Sequence, residues 1–167
     1  MSKNPLSFRE GPARDALLAW WRALQDAPGD RAELRRCRSV SSVFFCPAFH
    51  ALRLALMPHA SLRDDRLAIA AAVLAHVKTT VPAPPVRQMA QAQSNGDSAP
   101  ISGLRFRRLI KIGNDEPDAL LRAMQRIVHA LGDAANISEL AHALYWWNDA
   151  VRRQWATDYY TTAPQEP

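Results

Sequence analysis

At 167 residues the chain can bury one ordinary core or two small helical subdomains, and 48% hydrophobic against 22% charged residues excludes wholesale disorder. A net charge of +5 and a pI of about 9.8 point to a polyanion, nucleic acid before an anionic membrane surface, because a positive field attracts phosphate and binding releases counterions. No stretch approaches the roughly 20 uncharged apolar residues of a membrane span, and residues 1–14 lack the apolar core and cleavage pattern of a signal peptide, so a cytoplasmic location and no membrane partner are expected.

Pro12 to Asp26 predicts the first helix: Leu17, Leu18, Trp20, Trp21 and Leu24 make an apolar stripe at helical spacing, and Ala27-Pro28-Gly29 stops it. Asp30 is placed to cap a short basic helix through Arg38. Val40 to Phe45 is an apolar run of ambiguous type, and Pro47 then starts a helix carrying Phe49, Leu52 and Leu56. After a break at Pro58, the helical period resumes through Leu67, Ile69, Val73, Leu74 and Val77, with Asp64 and Asp65 in a first turn whose dipole favours them.

From Thr79 to Pro100 the composition turns to Pro, Gln, Ser, Asn and Gly and the apolar period is lost, which predicts a linker or mobile loop over residues 80–100. Phe106, Leu109 and Ile110 then share one helix face, and Leu120, Leu121, Met124, Ile127, Val128 and Leu131 mark the next helix. Ile137, Leu140, Leu144 and Trp147 mark a third, and Val151, Trp155 and Tyr159 a fourth, with Gly113 and Gly132 as punctuation. No strand alternation persists and no repeat is evident. The expected fold is all-α: two helical-bundle subdomains, residues 1–79 and 101–167, joined by a Pro/Gln/Ser-rich linker at 80–100.

Of the 21 basic residues 18 are Arg, whose planar fork of donors suits phosphate oxygens. At about 100° per residue, Arg107, Arg108 and Lys111 group away from Phe106, Leu109 and Ile110, with Arg105 flanking. Arg122, Arg126 and His129 likewise oppose Met124, Ile127 and Val128, a second stripe that an antiparallel hairpin would set beside the first. Asp115, Glu116 and Asp118 are near enough in sequence to make both stripes ordinary solvated faces instead, and spacing does not separate the two readings. Upstream, Arg31, Arg35, Arg36 and Arg38 surround a single Glu33 and Arg53 follows, an accumulation of like charge that costs stability unless it has a role. Arg14, Arg22, Arg63 and Arg66 read as ordinary surface. The Trp20-Trp21 and Trp146-Trp147 pairs read as one ring in the core and one sealing a contact, in preference to stacking platforms for bases.

Catalysis finds little support. His50, His59, His76, His129 and His142 lie in separate elements without metal-ligand spacing, and Cys37 and Cys46 read as buried thiols in a reducing compartment. There is no Gly-rich phosphate loop, nucleophile elbow or tight carboxylate pair, so no catalytic residue, metal or cofactor is expected.

In order along the chain come Ala19-Trp20-Trp21, Leu34-Arg35-Arg36, Pro47-Ala48-Phe49, a variable middle, Ile101-Ser102 leading to Arg105 and Leu109-Ile110-Lys111, Leu121-Arg122, Leu144-Tyr145-Trp146-Trp147 with Arg152, and Tyr159-Tyr160. In this order and spacing the chain resembles the small subunit of the type I-E CRISPR Cascade effector complex, the CasB family. The resemblance implies a non-catalytic, all-helical protein present as two copies, with the backbone and large Cascade subunits, crRNA and target DNA, including its single-stranded displaced strand, as partners. It implies basic residues at Arg35, Arg36, Arg105, Lys111, Arg122 and Arg152, to which the helical-wheel reading adds Arg107, Arg108 and Arg126, and the first-half charge adds Arg53. Asp149 and Ala150 stand where a relative carries cations. The implied role is to stabilise the R-loop in antiviral defence; a stand-alone helical DNA-binding regulator, with a recognition helix and a preferred sequence, is the alternative. A small hydrolase or nuclease is a third class, to be recognised by metal-dependent turnover.

Overall fold

The computed structural model describes residues 4–92 and 96–165, and within them proline is the commonest way to start a helix. Pro12, Pro28, Pro47, Pro85 and Pro117 each stand in the first turn of one, where the missing N–H would have had no partner and the fixed φ is already helical. The elements are α1 (Gly11–Gln25), α2 (Pro28–Arg35), α3 (Val40–Val43), α4 (Pro47–Leu56), α5 (Asp64–Leu74), β1 (Thr79–Thr80), α6 (Pro85–Ala90), α7 (Gly103–Ile110), α8 (Pro117–Ala130), β2 (Ala134–Ala135), α9 (Ile137–Tyr145) and α10 (Asp149–Thr162). The fold is all-α. Its one sheet among the described residues is the parallel pairing of the two-residue strands β1 and β2.

Side-chain caps start the later helices: Ser102, Asn136 and Asn148 accept from the backbone N–H of Arg105, Glu139 and Val151, and Ser39 and Ser42 form a capping box on α3. The C-terminus of α8 turns through Gly132 and Asp133, both at positive φ (76° and 58°), a conformation that glycine adopts without Cβ strain. α2 is displaced by about one turn toward the N-terminus from its expected position. It begins on Pro28 behind Ala27, with Asp30 in its first turn, and ends at Arg35, so Arg36 to Arg38 continue as a turn.

α5 is the spine. From Arg66 to Leu74 every residue is buried, the pattern of a helix surrounded on all sides, and alanines at 68 and 70–72 let neighbours approach closely. It packs against α2, α3 and α4 on one hand and against α8 and α9 on the other, so the buried side chains of both halves form one cluster. Arg66, expected on the surface, is buried at 6% exposure: its Nη2 donates to the Asn114 carbonyl, and it begins the stretch of α5 in which every residue is covered by neighbouring elements.

The segment 80–100, read as linker or mobile loop, contributes Thr80 to β1 and contains α6, whose Val86, Met89 and Ala90 are buried, with the helix packed on α10. A helix of six residues is too short to impose a period on a window of sequence. Residues 93–95 of that segment, and 1–3 and 166–167 at the ends of the two expected subdomains, lie outside the described residues.

The tryptophans tie elements together through their indole N–H groups. Trp20 donates to the Ala48 carbonyl at 2.9 Å, Trp21 to Val77 at 3.2 Å, Trp146 to Leu6 at 2.8 Å and Trp147 to Ile112 at 2.8 Å. In the second pair Trp147 is buried and Trp146 half-buried, as the spacing predicts; in the first pair both rings are buried. Cys37 and Cys46 are buried free thiols with their Sγ atoms 3.5 Å apart, and burial first, then hydrogen bonding to Glu33 and Cys37, pushes the Cys46 thiol up.

Candidate nucleic-acid interface

α2 is pinned by the fully buried Leu34, which leaves Arg35 half-buried and Arg36 and Arg38 exposed. The turn after it is locked onto α8. Arg122 donates from Nη1 to the Arg38 carbonyl at 3.0 Å, Arg38 donates to Gln125 Oε1 at 3.3 Å, and the Val40 N–H donates to Asp118 Oδ1 at 2.8 Å. Gln125 is 2% exposed, and its Nε2 donates to the carbonyls of Cys37 at 3.0 Å and Ala72 at 3.4 Å, so one amide joins α2, α5 and α8. Arg126 follows Arg122 by one helical turn and is exposed. Arg38 from the first half thus meets Arg122 from the second, with Arg36 and Arg126 exposed on the segments that flank this contact.

Arg35 and Arg38 lie near enough to His76 to oppose its protonation. His76 is held below the usual imidazole range by burial first and then by Arg35, with Arg38 adding to the effect against Asp133 and a backbone hydrogen bond at Arg35. Arg31, which donates from Nε to the Ala75 carbonyl at the end of α5, is likewise lowered by burial and then by Arg35.

The acidic side chains nearest these stripes are each placed against the backbone. Asp118 is engaged with the Val40 amide, Glu116 Oε2 accepts from the Gly113 N–H at 3.0 Å, and Asp115 lies against Gly113. Among the described residues Arg35, Arg36, Arg105, Arg107, Arg108, Lys111 and Arg126 make no ion pair.

α7 carries a second concentration of charge. Phe106 and Leu109 are buried, with Phe106 stacked on Tyr159 of α10 at 4.0 Å between ring centroids and 5° between planes, and Arg105, Arg107, Arg108 and Lys111 are left exposed. α7 also packs on α8. The side chain that reaches across from the α8 stripe goes to the turn after α2, however, and not to α7, so the hairpin arrangement expected for the two stripes is joined by a third element.

Besides Arg122, two further candidates use their donors on the protein itself. Arg53 Nε lies 2.9 Å from Asp64 Oδ1 and its Nη1 donates to Met57 Sδ. Arg152 donates from Nε to the Ile110 carbonyl at 2.7 Å, closing the C-terminus of α7, and from Nη1 to Asp149 Oδ1 at 3.1 Å. Sequence reasoning left Arg38 and Gln125 out of the site. A glutamine on the apolar side of α8, between Met124 and Val128, was the available signal, because a buried amide demands polar partners.

Among the described residues no helix is long and apolar enough to cross a membrane, and no group of three or more His, Cys, Asp and Glu side chains is placed to hold a metal ion. A family model described as CRISPR-associated protein Cse2 matches residues 30–160, which run from within α2 to within α10. No curated protein and no solved structure matches the chain.

Proposed function

This chain belongs to the Cse2 family and is a small subunit of the type I-E CRISPR Cascade complex, and we propose that within that complex it holds nucleic acid by its phosphates and so stabilises the R-loop. The observation that carries the reading is the bond from Arg122 to the Arg38 carbonyl, which merges the basic residues of α2 and α8 into one surface. Arg35, Arg36, Arg38, Arg122 and Arg126 act there as forks for phosphate oxygens, and Arg105, Arg107, Arg108 and Lys111 extend the charge along α7. Arg53 and Arg152 act chiefly by holding α4 and α7 in place beside it.

Such a clamp contacts phosphates without reading base edges and makes or breaks no covalent bond. Its target is the crRNA–target DNA heteroduplex and the displaced strand, with a second copy and the backbone and large subunits as neighbours. Exchange of a DNA duplex for an RNA–DNA heteroduplex is nearly balanced in free energy, so a few added phosphate contacts suffice to shift it.

The test is a binding titration of the full chain against random and defined DNA across a range of salt. Affinity is expected to be equal for both and to fall steeply, by orders of magnitude between about 50 and about 200 mM salt if roughly 6 to 10 phosphates are neutralised. A preferred sequence, as for a stand-alone regulator, or an affinity insensitive to salt would contradict the proposal.

A further inference from the structure

Beside α7 lies a cavity of about 780 Å³ that shares Arg105 and Arg107 with the clamp but adds an aromatic wall that the clamp does not use. It is formed by the 97–100 segment, the first turns of α7 and the end of α10, and its size falls within the roughly 300 to 1,000 Å³ of small-ligand sites. Its lining is chemically mixed: Arg105 and Arg107 on one side, Leu104 and Tyr160 as apolar surface, and Asp97 as the one acidic residue. Both arginines are exposed and without an ion pair among the described residues, so the cavity keeps a positive excess over Asp97. α7 opens into it with no acidic side chain in its first turn, and Ser102 takes up only the Arg105 N–H.

Tyr160 is the unusual member. Its ring meets Phe106 at 86° and Tyr159 at 83°, with centroids 5.9 and 5.2 Å away, yet the residue is 58% exposed. Two perpendicular contacts fix the ring's plane while much of its surface stays open to the cavity. Leu104, 52% exposed, adds a second apolar wall. A fixed aromatic face within one cavity of two uncommitted guanidinium groups matches an aromatic base joined to a phosphate.

We infer that this cavity takes one unpaired nucleotide of a strand, its base stacked on Tyr160 and its phosphate held by Arg105 and Arg107. The inference rests on the nucleic-acid reading of the basic surface and adds to it a preference for unpaired over paired bases, since a base inside a duplex offers no open face. Stacking on an aromatic side chain is tolerant of base identity, so the preference carries no sequence code.

Binding of the full chain to four labelled or competing probes tests it: an oligothymidylate, a strand of equal length with abasic positions, a duplex, and free dTMP. Wild type is expected to hold the oligothymidylate more tightly than the abasic strand. Tyr160→Ala should weaken oligothymidylate binding by about tenfold, the scale of one base–aromatic stack, and leave the abasic strand and duplex unchanged. Tyr160→Phe should preserve the preference, which separates loss of the ring from loss of fold, and Arg105→Ala with Arg107→Ala should weaken the oligothymidylate and abasic strands alike. A 5-iodouracil strand should crosslink to the peptide containing Tyr160. Equal oligothymidylate binding by Tyr160→Ala and wild type, or a crosslink mapping elsewhere, overturns the inference while leaving the clamp in place. Binding of dTMP at Tyr160 without any strand preference overturns the strand as its source, and no binding of any polyanion overturns the clamp itself.

Discussion

At the scale of single residues, the arginines divide by what their donors already hold. Arg152 closes the last turn of α7 through the Ile110 carbonyl, so Arg152→Ala should cost about 1–2 kcal/mol of stability, the effect of removing a charged donor from a backbone acceptor. Arg126→Ala, at an exposed position without an ion pair, should leave the melting temperature unchanged and weaken binding to all DNA sequences equally. Paired thermal melts and titrations of the two variants check this, and the reverse pattern would exchange their roles. His76 gives a pH signature. Its pKa lies below the ordinary 6.5 in the folded state, chiefly through burial, so below 6.5 the unfolded chain binds a proton that the folded chain refuses. Stability is therefore expected to be complete above 6.5 and to fall as pH drops from there toward the folded value. His142, lowered by burial and then by Arg9, adds in the same direction. Denaturant midpoints of wild type and His76→Gln across that window should converge toward the acid side if His76 contributes as described. Side-chain chemistry was legible in the sequence only where position fixed exposure: Arg36, Arg105, Arg107, Arg108, Lys111 and Arg126 are exposed as helical spacing requires, whereas Arg66 is covered by helices that no local pattern announces.

Among elements, the junction of α2 with α8 determines whether the basic residues form one surface. Gln125 is its fastener, and Gln125→Leu should leave the Cys37 and Ala72 carbonyls without their donor, costing about 1–3 kcal/mol, and should also reduce DNA affinity because Arg38 loses its anchor. A calorimetric melt together with a binding titration reads both; a variant as stable and as tight as wild type would remove Gln125 from this role. Charge reversal at Arg105, Arg108 and Lys111 together should abolish the α7 contribution to R-loop stability with the fold intact, because all three are exposed. Circular dichroism of the triple variant decides the structural half, since unfolding would make these residues part of the scaffold. Helices long enough to repeat their apolar spacing were legible from sequence: α1 lies within one residue of its expected limits, and α8, α9 and α10 contain their apolar markers except Leu131 and Trp147, which fall just beyond the ends of α8 and α9. α6 was not, having one buried turn, nor was the short pairing of β1 with β2, which two residues on each side cannot encode as alternation.

For the whole molecule, composition read a polyanion partner from charge, and the fold supplies what charge alone lacks, a way to gather arginines from distant parts of the chain. α5 does this by packing on helices from both sides of the 80–100 segment, which brings α3 and the turn before it against α8 although Arg38 and Arg122 are 84 residues apart. A division of the sequence at that segment follows from composition; contacts made through α5 depend on which buried face meets which, and that is not written in any one window. The central claim is that this assembled surface stabilises the R-loop by holding phosphate. The direct measurement is the lifetime of R-loops formed by Cascade reconstituted with the wild-type chain or with Arg36→Glu/Arg126→Glu, after confirming that both chains are incorporated. The account expects the doubly reversed chain to shorten the lifetime, and more so at low salt than at high salt. Equal lifetimes at every salt concentration, with the variant fully incorporated, would contradict it.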